Sequence, residues 1–298
     1  MFNGTVYKGE SGYLRMVNDI LHLGVDVPDR TGVGSRAMFD AKVVYSPREF
    51  PFSTVRPAAL RMAFEEFWMM MNGRTQTKEL EEKGIFFWQG NTSREFLDKR
   101  GLDYLDEGDM GQAYGWQWRS FNRQIAPGNV VDQLKETFEG LKNDTYGRRH
   151  LTTFWNPAAS RFMALTPCWY SHQFVVLPHP ETGSPVLHMK VNNRSLDTVF
   201  GFQFAAQQYR LYQMCMAKAL GFDLGWMSCD LTQIHIYQNQ FEYAEEMVER
   251  KLGVPGKIEL PELNSLDDIL NLTWDDIIVT GLEVNKEPFI AERPPMAV

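Results

Sequence analysis

Two runs rich in β-forming residues, Ser171–Leu177 and Pro185–Val191, flank the segment Pro178-His179-Pro180-Glu181-Thr182-Gly183-Ser184. Proline, glycine and small polar residues packed between two strand-like runs predict a hairpin turn, so the runs pair antiparallel. A further run, Met38–Tyr45, is also rich in β-formers. Between the strand signals lie helical ones. Leu60, Ala63, Phe64, Phe67, Trp68 and Met71 recur at helical spacing and predict a helix over Ala58–Met71, with an apolar stripe about one face wide. Leu211, Met214, Cys215 and Ala219 do the same for a helix from about Phe204 to Leu220, stopped by Gly221. Ser11–Leu23, Val131–Leu141 and Asn239–Lys251 are further candidate helices. The order shows no regular βαβ rhythm. The expected fold class is therefore α+β, with a mixed, mostly antiparallel sheet and flanking helices. No Pro/Gly/Ser-rich stretch separates two halves, so residues 1–298 read as a single domain.

Composition narrows the function. The 298 residues are 44% hydrophobic and 23% charged, the proportions of a folded globular chain. Thirty Lys+Arg against 38 Asp+Glu give a formal charge of -8, which disfavours general nucleic-acid binding. No stretch of 18 apolar residues predicts a membrane span, and the N-terminal residues carry no secretory pattern. The three cysteines, Cys168, Cys215 and Cys229, are too few and too scattered for a disulfide scaffold or a four-cysteine zinc site, which points to a reducing, cytoplasmic setting. None of the six histidines has metal-ligand spacing, so no metal is expected.

Several residue types invite chemistry, and each has a plain structural reading beside it. Cys168 follows Leu165-Thr166-Pro167. It is a small buried hydrophobe or, beside cationic groups, a nucleophile. Arginines fall at turns and strand ends: Arg30, Arg148, Arg149 and Arg194. Singly each is a solvated charge; together they suit a phosphate dianion. Glu65 and its neighbour Glu66 interrupt the apolar helix. One of them is either a solvated flank residue or a partly buried acid able to shuttle protons. Tyr114, His235 and Tyr237 offer ring donors, and Phe86-Phe87-Trp88 is either core or the wall of a flat-ligand pocket.

Taken in order, the segments resemble thymidylate synthase of the folate-dependent, cysteine-nucleophile type. The matching stretches are Asp29-Arg30-Thr31-Gly32-Val33-Gly34, Glu65 with Trp68, Trp88 with Asn91 and Ser93-Arg94-Glu95-Phe96-Leu97-Asp98, and Gly108–Gly115 with Gln117-Trp118-Arg119. They continue through Arg148-Arg149, Trp155-Asn156-Pro157, Pro167-Cys168, Arg194-Ser195-Leu196-Asp197, Gly201, His235-Ile236-Tyr237 and Met296-Ala297-Val298. The order is kept from about residue 12 to the end.

The resemblance implies a homodimer that binds a pyrimidine deoxynucleoside monophosphate and 5,10-methylenetetrahydrofolate as co-substrate, in the cytoplasm, or in the host cytoplasm if the chain is viral. Cys168 would add to C6 of the base, making C5 nucleophilic toward the one-carbon unit. Arg30, Arg194 and Ser195 would hold the 5′-phosphate, with Arg148 and Arg149 completing the phosphate site of the partner subunit. His235 and Tyr237 would hold the sugar, Glu65 would deliver protons through water, and Tyr114 would assist at C5. Asp197, Phe87, Trp88, Asn91, Leu165, Gly201, Phe204 and Val298 would line the pterin site.

The departures lie at the base. The family's asparagine reader falls at Ala205, which can neither donate nor accept a hydrogen bond through its side chain. The histidine usually following the catalytic cysteine is Trp169, and a lysine near the folate tail is Val55. Members that use dCMP place aspartate at the Ala205 position, and no acid occurs from Thr198 to Gln208, which favours dUMP with Gln203 or Gln207 as substitute reader. The rebuilt edge makes hydroxymethylation of dUMP, giving 5-hydroxymethyl-dUMP, the leading expectation. Methylation of dUMP to dTMP with release of dihydrofolate is the alternative, supported by Trp88 and the C-terminal Met296-Ala297-Val298. A dCMP hydroxymethylase or methylase, and an inactive nucleotide- or RNA-binding homologue, are the more distant ones.

Overall fold

The computed structural model describes residues 2–29, 31–57 and 59–294. The chain opens with β1 (Phe2–Lys8) and α1 (Gly9–Leu23), followed by β2 (Val25–Val27) and β3 (Ser35–Tyr45). Helices α2 (Leu60–Met71), α3 (Lys78–Glu81), α4 (Arg94–Lys99), α5 (Tyr114–Ser120) and α6 (Gln133–Asn143) then run without an intervening strand. Next come β4 (Leu151–Thr153), β5 (Trp169–Pro178), β6 (Pro185–Asn193), β7 (Leu196–Asp197), α7 (Phe202–Leu220), β8 (Asp223–Tyr237) and α8 (Phe241–Glu249). A small C-terminal ribbon pairs β9 (Lys257–Glu259) with β10 (Ile278–Thr280) around α9 (Leu266–Leu270).

The main sheet has the order β1-β3-β8-β6-β5-β4, with β2 on β3 and β7 on β8. The predicted hairpin is β5–β6, registered from Trp169↔Asn193 to Pro178↔Pro185. Pairs β2–β3, β3–β8, β4–β5 and β5–β6 are antiparallel, whereas β1–β3, β6–β8 and β7–β8 are parallel. The sheet is thus mixed with an antiparallel majority, as the α+β reading expects. Strand β8, unpredicted, is its centre.

Helix α7 packs on the sheet through buried Phe202, Ala206, Tyr209 and Tyr212, and α2 lies against α7 and α5. Phe67 of α2 meets Trp118 of α5 and Tyr209 and Tyr212 of α7, with ring centroids 5.1, 5.2 and 5.9 Å away. One contiguous apolar core runs through these elements, and Leu97, Leu102 and Ala164 form a satellite under α4. Gly221 closes α7 in the left-handed region at φ 69°, which a residue without Cβ adopts at little cost. No described helix is long and apolar enough to cross a membrane.

Candidate active site

Helix α2 is apolar on more than the predicted stripe. Met69 and Met70 are buried beside Phe64, Phe67 and Trp68, so a polar residue here is either at an edge or inside. The two adjacent acids divide between these fates because successive helical residues diverge by about 100°. Glu65 turns outward to an ion pair with Lys83 at 2.5 Å. Glu66 turns inward. Trp88 Nε1 donates to its Oε1 at 2.5 Å, and Gln208 Nε2 donates to its Oε2. Burial pushes the Glu66 carboxyl up to about 7, against the lowering effect of those two bonds. The structure therefore corrects the expectation placed on Glu65: the acid at the cavity is Glu66, and Glu65 is a part-buried residue paired with Lys83 away from it.

Glu66 opens onto a cavity of about 650 Å³ between α2, the N-terminal half of α7 and the segment preceding β5. Twelve of the predicted residues line it: Phe87, Trp88, Asn91, Tyr114, Leu165, Trp169, Asp197, Gly201, Gln203, Phe204, Ala205 and Gln207. Phe87 meets Phe204 edge-on at 5.2 Å, and Trp88 meets Tyr114 at 6.3 Å, which gives the cavity flat aromatic walls. Asp197 is fixed by its own backbone surroundings. Val199 and Phe200 N–H donate to Oδ1 at 3.0 and 3.1 Å, and Gln240 Nε2 donates to Oδ2 at 2.9 Å. The mouth carries residues that the sequence did not single out, among them Arg56, Tyr243, Phe289 and Arg293. Tyr243 and Phe289 stack at 4.1 Å, and Arg56 and Arg293 both lie over Phe200.

Cys168 sits half-buried immediately before β5, next to Trp169. Its backbone N–H donates to the Tyr114 hydroxyl at 2.9 Å, which ties the thiol-bearing loop to α5. Burial drives the Tyr114 phenol far above its ordinary value, so it keeps its proton. Arg194 Nη2 lies 3.7 Å from Cys168 Sγ. That guanidinium is held by donating from Nε to Pro167 O at 2.9 Å and from Nη2 to Thr166 O at 2.9 Å. A fixed positive charge beside the sulfur favours a developing thiolate.

The remaining predicted residues are placed less uniformly. Pairing of β7 with β8 sets Asp197 opposite His235, and Ser195 Oγ donates to Gln233 Oε1 at 3.5 Å. His235 is buried with Nδ1 unpartnered among the described residues, and burial lowers its pKa, so the ring is neutral. Tyr237 meets that ring edge-on at 5.0 Å. Arg148 and Arg149 are exposed ahead of β4 and do not line the cavity. Arg30 and Val298 lie outside the described residues. Val55 is buried, and Trp169 packs on Tyr209 at 5.6 Å. Gln203 is occupied: Tyr45 OH donates to its Oε1 at 3.1 Å and its Nε2 donates to Phe52 O at 3.4 Å.

Comparison with known proteins gives the family. The thymidylate synthase family model matches residues 11–291. Thymidylate synthase of Agaricus bisporus is 32% identical over 293 residues, covering 95% of this chain and 98% of the relative. That of Candida albicans is 32% identical over 296 residues, covering 92% and 94%. The bifunctional dihydrofolate reductase-thymidylate synthase of Paramecium tetraurelia is 33% identical over 279 residues, covering 91% of this chain and 58% of the relative. The chain spans between 47% and 58% of the length of four of the relatives it matches. With nearly the whole chain inside the family model, this protein belongs to the thymidylate synthase family.

Proposed function

We propose that the chain transfers the one-carbon unit of methylenetetrahydrofolate to C5 of dUMP, giving dTMP. The observation that carries the reading is the buried Glu66 carboxyl, poised near neutral pH and facing one cavity with Tyr114, whose hydroxyl is bonded to the Cys168 backbone. The family membership and the full-length relatives named thymidylate synthase support methylation over the hydroxymethylation expected from the base edge.

The cavity residues fit a pterin. Phe87, Trp88 and Phe204 supply flat walls, Asp197 a fixed carboxylate, and Asn91 Oδ1 is a buried acceptor with no partner among the described residues. Bound methylenetetrahydrofolate would supply the one-carbon unit and, for methylation, the hydride. Cys168 Sγ, stabilised as thiolate by Arg194, forms the bond to C6 of uracil, and the C5–C6 electron pair moves toward C5 and O4. Glu66, partly protonated near neutral pH, holds a proton for O4. Tyr114 keeps its proton and anchors the cysteine loop while C5 loses its own. Arg194 and Ser195, with Arg30, take the phosphate, and Arg148 and Arg149 come from the partner subunit of a homodimer. His235 and Tyr237 take the sugar hydroxyl.

A second reading, hydroxymethylation of the same nucleotide, is favoured by one feature: Ala205 and Trp169 stand where a methylating enzyme has polar groups. Release of tritium from C5-labelled dUMP tests the shared chemistry. Turnover that disappears in Cys168→Ser, with nucleotide still bound, supports it; full activity in that variant would remove Cys168 from the mechanism.

A further inference from the structure

We propose that Gln208 reads the base edge of the nucleotide in place of the polar side chain missing at position 205; the inference rests on the pyrimidine-nucleotide reading above. Three glutamines of α7 line the cavity. Gln203 has both amide atoms engaged by Tyr45 and Phe52. Gln207 follows Ala205 by two residues, about 200° around the helix, and its Oε1 is sealed in the interior with no partner among the described residues, so that acceptor is not offered to the cavity. Gln208 follows by three residues and shares a face with Ala205. A short side chain at 205 beside a long amide at 208 leaves the amide able to reach the space that 205 vacates.

The amide is also oriented. Its Nε2 donates to Ala63 O at 3.1 Å and to the Glu66 carboxylate. Reversing it would set Oε1 against a carbonyl and a carboxylate, two acceptors facing an acceptor. Oε1 receives no hydrogen bond from any described residue and is not sealed in the interior, so it is the atom Gln208 offers to the cavity. It can only accept. Glu66, protonated in part near neutral pH, supplies the complementary donor. Uracil matches the pair: N3–H donates to Gln208 Oε1, and O4 accepts from Glu66. Cytosine presents an amino group where Glu66 would donate and has no proton on N3. Gln208 and Glu66 together therefore supply the acceptor and donor that one amide at 205 would supply alone, and they select uracil.

The test compares wild type with Gln208→Met, which keeps the side-chain volume, using dUMP and dCMP. Dissociation constants come from calorimetry and turnover from C5 tritium release. The ratio of dissociation constants, dCMP over dUMP, is expected to fall at least ~10-fold in Gln208→Met, and to recover when Ala205→Asn is added. A variant with slower turnover on both nucleotides and an unchanged ratio would make Gln208 only a support for Glu66 and overturn the proposal. Ala205→Asn alone, which keeps Gln208, is expected to move the ratio less than ~3-fold; a rise of ~10-fold or more would show that wild type has no reader and would likewise overturn it. A wild-type chain that binds dUMP but releases no tritium overturns the transfer reading instead, and the binding ratio still decides for Gln208.

Discussion

Glu65 and Glu66 differ by one position and meet different surroundings, and the chemistry follows the surroundings. An ion pair with a half-exposed lysine contributes about 0–1 kcal/mol, so Glu65→Gln should leave stability and kcat nearly unchanged. Glu66→Gln removes the proton held at the cavity and should lower kcat by ~10²-fold or more, as general acid–base groups do. The pH dependence has a definite sign. Folding raises the Glu66 pKa from 4.5 to about 7, so the folded state holds the proton more tightly than the unfolded one. The associated stability is complete below pH 4.5 and lost as pH rises through about 7. Glu66→Gln should therefore gain in Tm relative to wild type across that window; a constant difference would mean that the carboxyl is not buried. Which of two adjacent acids points inward was not legible in the sequence, because a stripe of six apolar residues fits either neighbour at its edge. The added burial of Met69 and Met70 is what turns position 66 inside.

The predicted helices and strands that carry strong periodicity all appear, within a few residues at their ends. Strand β8 was missed although it is central. Its buried face, Met227, Cys229 and Leu231, alternates as a strand should, but Asp223, Gly225, Ser228 and Asp230 dilute the β-forming signal. Ser228 Oγ donates to Asp230 Oδ1 within the strand at 3.2 Å, and the Asp230 charge is met by tertiary neighbours. Asp230 pairs with Lys42 of β3 and Lys190 of β6, on the strands to either side, at 3.4 and 2.5 Å. Strand β5 carries another feature hidden from the sequence. His172 is enclosed by Trp118, Phe154, Phe174, Tyr209 and Tyr212, and both ring nitrogens lack a partner among the described residues. Burial lowers its pKa to about 3. The unfolded chain takes up this proton near 6.5 and the folded one only near 3, so the contribution present above 6.5 is lost as pH falls toward 3. His172→Phe keeps an aromatic ring in place and should raise the urea midpoint increasingly as pH is lowered from 6.5. A midpoint difference independent of pH would contradict the neutral buried ring.

At the scale of the molecule, the three predicted phosphate arginines among the described residues, Arg148, Arg149 and Arg194, all stand outside the lining of the cavity. Arg148 and Arg149 are exposed, and large apolar side chains such as Leu151, Trp155 and Trp226 are exposed at 50%, 42% and 46%. Such surface suits association with a second copy. If the arginines act across a two-fold interface, mixing inactive Cys168→Ser with an inactive Arg148→Ala/Arg149→Ala variant creates heterodimers with one intact site. Random exchange then restores about a quarter of wild-type activity; no recovery, with exchange verified, would place the arginines in their own subunit's site. The family's ordered motifs made the cleft legible from sequence. The base edge was not, because an alanine at 205 records only what is missing, and its replacement depends on how Gln208 is held by Glu66 and Ala63.

One-carbon transfer to C5 of dUMP is read from the mass of the product. Incubation of dUMP with methylenetetrahydrofolate and the protein should yield a nucleotide heavier by one methyl substitution, with dihydrofolate formed in equal amount. A hydroxymethyl gain without dihydrofolate would keep the transfer and change the product to that of the second reading. Recovery of unmodified dUMP, with its C5 hydrogen retained, would contradict the assignment.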